Sequence, residues 1–171
     1  MKMFLKPRFD QIPEEIRETF KWAVWRAEPR SNQPGKFNKA PRNPLTGRLL
    51  NVNVPESFAD FETCWLAVEA HGFTGLGILL QGNGWVGVDI DNFTKMANVE
   101  RGPICEWIRE ALAKGAYVEK SPSGSGLRAI FRGGFPGQGR RAGSLEIYQD
   151  KRFLTITGHA IKSIVEEESN E

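Results

Sequence analysis

The sequence predicts an α+β fold, with most strands joined in hairpins and helices inserted between them. Three observations carry this reading. Short apolar or alternating runs recur along the chain, two longer segments repeat apolar residues at helical spacing, and Gly, Pro and Asn punctuate the gaps. The runs are too few and irregular for a barrel or a doubly wound sheet. A length of 171 residues suits one domain or two tightly joined modules, and eleven Phe with five Trp supply a sizeable core.

Residues 12–20 ("IPEEIRETF") read as a short helix with Pro13 near its start and acids in the first turn. Residues 22–29 read as a strand, and 30–48, rich in Pro, Gly and Asn, as a loop. A helix follows over 57–72. Ser57 is its predicted cap, Asp60 holds the capping-box position, Phe58, Phe61, Trp65 and Val68 form the apolar stripe, and Gly72 ends it. Strands at 76–81 and 85–91 flank Asn83-Gly84, a strong hairpin signal. A second helix, 102–115, places Ile104, Trp107, Ile108 and Leu112 on one side. Four short strands complete the chain, at 116–121, 127–131, 145–149 and 153–157, with 132–143 as a flexible basic loop. Residues 1–162 are expected to form a single domain of two intimately packed modules, and 163–171 an acidic, disordered tail.

Net charge is +2, but it is uneven. Five bases and no acid lie between Arg30 and Arg48, and eight bases against three acids between Glu119 and Lys162. Such stretches suit a polyanion, because counterion release drives its binding, or they are scattered solvated charge. The two cysteines, Cys64 and Cys105, form no CxxC pair, which speaks against a disulfide scaffold or a cysteine-zinc site. No apolar run approaches the roughly 20 residues of a membrane span, and "MKMFLKPRFDQ" is a poor signal peptide. A reducing, cytoplasmic setting is expected.

The stretch "WVGVDIDNF" raises a chemical question. Val86, Val88 and Ile90 alternate with Gly87, Asp89 and Asp91, so both carboxylates share one face, roughly 6–7 Å apart. Carboxylates that close repel unless a cation lies between them, and hard divalent ions are held by such groups. A solvated strand end is the other reading. Gly87 is expected to leave room for a ligand. Glu146 alternates with Leu145 and Ile147. On a neighbouring strand it would complete a three-carboxylate cluster of the kind that binds two metals in phosphoryl transfer, and otherwise it is a lone surface glutamate.

Ser123, Gly124, Ser125 and Gly126 offer successive N–H groups able to wrap an anion, or form a plain turn. Arg128 follows, placed to meet a bound phosphate. Thr155 and Thr157 alternate on a strand and could donate to phosphate or sugar. Lys39 and Arg152 are further candidates for phosphate or template contact, with Lys36, Arg42 and Arg48 on the same basic loop as Lys39. His71 reads as structural, and His159 could be a ligand, although a lone histidine after a turn more often is not.

The order and spacing of "GVDIDN", "SPSGSGLRAIFRG" and "LEIYQDKRFLTITGH" resemble the primase–polymerase module of the archaeo-eukaryotic primase superfamily, in its phage and plasmid replication form. "WAVWR" and "NKAPRNPLTGR" resemble the opening of those proteins, and the likeness runs from about Trp22 to His159. The resemblance implies an α/β N-terminal module packed on an RNA-recognition-motif-like antiparallel catalytic sheet. It implies Asp89, Asp91 and Glu146 as catalytic ligands of two Mg²⁺ or Mn²⁺ ions, and Arg128 at a position where many members carry histidine. Template-directed nucleotidyl transfer on single-stranded DNA from NTPs or dNTPs follows, with a replicative helicase, on a separate chain or in a further domain, as a partner. The alternative is a non-catalytic nucleic-acid-binding module on the same scaffold, and a metal-dependent nuclease could use the same three acids.

Overall fold

The computed structural model describes residues 4–164, so the predicted acidic tail lies outside the described residues from 165 onward. The protein is α+β with antiparallel sheets.

Phe9–Gln11 form a 3₁₀ turn, and α1 (Glu14–Thr19) starts behind Pro13, whose fixed φ suits a helix entry. β1 (Lys21–Trp25) follows. The strand predicted over 22–29 breaks at Arg26 and Ala27, because the Ala27 N–H donates to Thr74 Oγ1 instead of continuing a ladder. β2 (Glu28–Pro29) and β3 (Phe37–Asn38) then pair as a small hairpin inside the predicted loop. α2 (Phe61–His71) is capped by Asp60, whose carboxylate accepts from the Thr63 N–H at 2.8 Å. The predicted cap, Ser57, lies instead in a 3₁₀ turn and donates to the Val54 carbonyl.

Next come β4 (Gly75–Gln81), β5 (Trp85–Ile90) and α3 (Asn98–Ala113), which begins earlier than predicted and holds Pro103 in its second turn. β6 (Tyr117–Lys120), β7 (Leu127–Arg132), β8 (Gly139–Ala142), β9 (Leu145–Tyr148) and β10 (Asp150–Ile156) complete the order. β8 occupies part of the predicted flexible loop, where its backbone pairs with β9.

The strands form a three-stranded sheet, β1-β4-β10, and a five-stranded sheet, β6-β7-β5-β9-β8. The hairpin expected around Asn83-Gly84 does not form. Both edges of β4 are filled by β1 and β10, and both edges of β5 by β7 and β9, so the turn passes the chain from one sheet to the other. Long-range edge pairing has overridden a local turn signal.

Packing follows strand parity. Val86, Val88 and Ile90 turn toward α3, where Ile108, Val118 and Ala129 join them in one core. Trp85 turns the other way, into a core with Trp22, Leu76, Ile78, Leu80 and Leu154 of the three-stranded sheet and Cys64 and Ala67 of α2. Gly87 also faces that sheet. A Cβ there would lie 2.9 Å from both Leu80 Cδ1 and Leu154 Cδ2, so the space expected for a ligand is filled by the opposing sheet. Along this face of β5, Trp85 and Gly87 are packed and Asp89 is next. The acid begins where sheet-to-sheet packing ends.

The N-terminal segment is stitched across the junction of the sheets. Leu5 N–H donates to the Pro122 carbonyl and Arg8 N–H to the Thr157 carbonyl. Cys64 and Cys105 are free and buried, and burial pushes the Cys64 thiol up to about 12. Among the described residues no helix is long and apolar enough to cross a membrane.

Two glycine substitutions should act oppositely. At Gly158, φ is +73° and a Cβ would sit 1.8 Å from the Arg8 carbonyl oxygen, whereas Gly102 of α3 meets nothing within 4 Å. In urea denaturation Gly158→Ala should lose at least ~2 kcal/mol, and Gly102→Ala should gain about 0.5–1 kcal/mol.

Candidate functional site

One row of side chains crosses the whole five-stranded sheet. Register places Glu119 opposite Arg128, Arg128 opposite Asp89, Asp89 opposite Glu146, and Glu146 opposite Arg141. Directly opposed residues on antiparallel strands share a face and lie within side-chain reach. The row therefore reads acid, base, acid, acid, base from β6 to β8.

Its centre is bonded. Arg128 Nε donates to Asp89 Oδ1 at 3.2 Å, and Arg128 Nη1 donates to the Thr155 carbonyl at 2.7 Å and to Thr155 Oγ1. Glu146 receives Arg141 Nη1 at 3.1 Å, Arg152 Nη2 at 3.3 Å and the Tyr148 hydroxyl. Asp91, expected on the strand, lies in the turn just past the end of β5 and is more exposed than Asp89. Its carboxyl pKa is raised by partial burial first, then by the charges of Asp89 and Glu146, while Arg128 and Lys39 pull it down. The three acids thus share one electrostatic neighbourhood. Among the described residues no three Asp, Glu, His or Cys side chains stand in an arrangement that would hold a metal ion, and both Asp89 and Glu146 are engaged by arginines.

A cleft of about 690 Å³ opens over this row. Asp89, Asp91, Glu146, Ser123, Ser125, Arg128, Lys39 and Arg152 all line it, so most of the side chains singled out in the sequence meet there. Gly124 and Gly126 do not line it. A Cβ on Gly126 would lie 2.6 Å from the Ile90 carbonyl, so this glycine lets the loop press against β5. The loop's donors are turned inward: Gly124 N–H goes to the Ser121 carbonyl, Ser125 N–H to Ser123 Oγ and Gly126 N–H to Ser121 Oγ. The hydroxyls of Ser123 and Ser125, 2.9 Å apart, are what this loop brings to the cleft wall.

Arg128 departs from the expectation of a phosphate clamp. It is 5% exposed, and its guanidinium is committed to Asp89 and Thr155. Thr155 is spent on that arginine, and Thr157 Oγ1 donates to the Lys120 carbonyl. The rim is basic instead. Lys36 and Arg30 line it, and Lys39 Nζ lies 5.7 Å from the Phe4 ring centroid and 5.9 Å from that of Trp25. Arg42 is bonded to Glu28 and to the Gly47 carbonyl, outside the cleft lining, as is Arg48. His159 Nε2 lies 2.7 Å from the Lys6 carbonyl oxygen.

Glu119 escaped the sequence reading. It is fully buried, and its carboxylate accepts from the Tyr117 hydroxyl at 2.8 Å and from the Thr157 and Gly158 N–H groups at 2.8–3.0 Å. Burial raises its pKa, and these donors with Arg128 oppose the rise. A signal was present: Tyr117 and Val118 are apolar on both faces of β6, the mark of a strand covered on both sides, which places Glu119 inside.

No family model matches the chain, and no curated protein matches it.

Both tyrosines of the chain bond row acids, Tyr117 to Glu119 and Tyr148 to Glu146. Burial first, and the neighbouring carboxylate second, pushes Tyr148 up to about 12 and Tyr117 well above its usual range. A phenol with a raised folded-state pKa favours the folded state while it stays protonated, and that gain fades as pH climbs above the unfolded value of about 10. Titration followed by tyrosinate absorbance should show almost no ionisation at pH 10 in the native protein and about half ionisation of both residues there in urea.

Proposed function

We propose that the protein is a template-directed nucleotidyltransferase of the primase–polymerase type, with the archaeo-eukaryotic primase fold as its finer architecture: an α/β N-terminal module on an RNA-recognition-motif-like sheet. The observation that carries the reading is the pairing of Asp89 with Glu146 on adjacent strands, with Asp91 in the turn just past β5, beneath a cleft with a basic rim.

Three carboxylates around one cleft are the donor chemistry that a hard divalent cation takes, and such an ion would have to draw them closer than they stand and displace the arginines from Asp89 and Glu146. Mg²⁺ or Mn²⁺ held by Asp89, Asp91 and Glu146 would supply the positive charge that activates an attacking 3′-hydroxyl and stabilises departing pyrophosphate. The chain's own groups do the rest. Arg128 fixes the orientation of Asp89. Arg141 and Arg152 neutralise Glu146, and both are exposed enough to exchange it for phosphate oxygens. Lys39 and the Ser123 and Ser125 hydroxyls provide donors for the triphosphate, and Phe4 and Phe37 present aromatic surface on the same wall. The substrates are NTPs or dNTPs and a single-stranded DNA template, in the cytoplasm of a bacterial host, with a replicative helicase as the natural partner.

A second reading rests on one observation. Asp89 and Glu146 are both paired with arginine, which suits a nucleic-acid-binding module on the same scaffold without chemistry. Incorporation of labelled dNTPs on a primed template with Mn²⁺ separates the two readings, and degradation of the template in the same assay would mark a nuclease. Asp89→Asn and Glu146→Gln, which keep side-chain shape, should each reduce extension by roughly 10²-fold or more; Glu146→Gln should leave the melting temperature little changed, and Asp89→Asn, which takes the charged partner from buried Arg128, should lower it. Extension at the wild-type rate by both variants would remove the proposal.

A further inference from the structure

Strand β10 carries one residue more than its ladder needs. Its pairing with β4 steps from Asp150 opposite Gln81 to Arg152 opposite Leu80, so Lys151 is extruded as a bulge. Lys151 also has φ +50°, a left-handed backbone that a lysine adopts at an energetic cost. Packing does not require it. The side chain is exposed and in no ion pair among the described residues, while Arg141 and Arg152 beside it both reach Glu146. Its N–H donates to Asp150 Oδ1 at 2.9 Å, a bond glycine would make equally.

A bulge next to a site re-aims a side chain. Here it sets Lys151 where two grooves meet. Lys151 lines the cleft over the acids and also a neighbouring groove of about 380 Å³ beside β8 and β9. Arg141 and Arg152 line both, and Arg140 and Tyr148 belong to the second. That groove presents four bases against a single acid, Asp150, and includes none of Asp89, Asp91 and Glu146. It is open, because every residue of the edge strand β8 is exposed.

Resting on the reading of the cleft as a nucleotidyl-transfer site, we infer that the second groove carries the phosphodiester backbone of a single-stranded nucleic acid to or from the cleft, with Lys151 as the positioning cation at the junction. A groove without the acids has no chemistry to offer a nucleotide. A run of cations continuous across two grooves matches the regular charge of a strand. The cost of the left-handed lysine is then the cost of holding a charge where the strand turns into the site.

The test is fluorescence anisotropy of a labelled oligothymidylate across a salt series, with the intact protein. Lys151→Gly should bind roughly 3- to 10-fold more weakly, with the salt slope reduced by about 0.7, while its melting temperature stays equal or rises. Lys151→Asn, which keeps the left-handed preference without the charge, should match it, and Lys151→Arg should retain affinity. Arg140→Ala on β8 should weaken binding in the same way. Wild-type affinity and slope in the Gly and Asn variants would overturn the assignment, as would absence of oligonucleotide binding by the wild type. Complete displacement of the oligonucleotide by a nucleoside triphosphate would mark the groove as a triphosphate seat and overturn it too. The two readings fail separately. Charge-dependent binding without dNTP incorporation would retire the polymerase and leave the groove, and incorporation with Lys151-independent binding would do the reverse.

Discussion

The buried Arg128 guanidinium is the interaction on which the rest depends. It stands between Glu119 and Asp89 in the charged row of the five-stranded sheet, and it reaches out of that sheet to the Thr155 carbonyl of the three-stranded one. A buried cation without partners would be costly, and breaking such a pair by removing one member typically costs about 3–5 kcal/mol. The two sheets are therefore held at one separation by a polar group, while Trp85, Leu80 and Leu154 hold them by apolar contact further along. Where the apolar contact stops and the polar row begins, the cleft opens.

That arrangement also sets the electrostatics. Glu119 and Asp89 flank one arginine, and Glu146 takes two, so the row is close to neutral until Asp91 is added at its end. The Asp91 pKa is raised by partial burial first and then by the charges of Asp89 and Glu146, against the pull of Arg128 and Lys39. A cation or a basic ligand entering the cleft meets its least compensated acid first. The arginines on Glu146 are exposed and replaceable, whereas Arg128 is neither, which divides the site into a fixed floor and an adaptable rim.

Much of this was legible in the sequence where the signal is local. Alternation in "WVGVDID" gave the two-faced β5 and the side on which Asp89 stands, and the same alternation set Glu146 on its face of β9, while Asp91 falls in the turn after β5 and reaches the same cleft from there. Gly72 bounded the end of α2 through backbone chemistry that acts within a few residues, whereas at the start the cap is Asp60 and not the expected Ser57. What depended on distant partners was not legible. Asn83-Gly84 carries a hairpin signature, yet competition for strand edges sent its two arms to different sheets. β8 is polar, exposed and glycine-containing, so only the presence of β9 makes it a strand. Gly87 looked like space for a ligand because its neighbours in sequence do not reveal Leu80 and Leu154 above it. Arg128 looked like a free cation for the same reason.

The three-stranded sheet has a consequence for how the chain is made. Its order is β1-β4-β10, so its outer strands come from near the beginning and near the end of the described chain, and the Arg8–Thr157 bond closes the same circuit. During translation β1 and β4 emerge early but must wait, with one edge of β4 open, until β10 clears the ribosome. High sequence separation of this kind slows folding and leaves an unpaired strand edge exposed in the meantime. The half of the molecule that looks like a leading module in the gene is thus completed last in time.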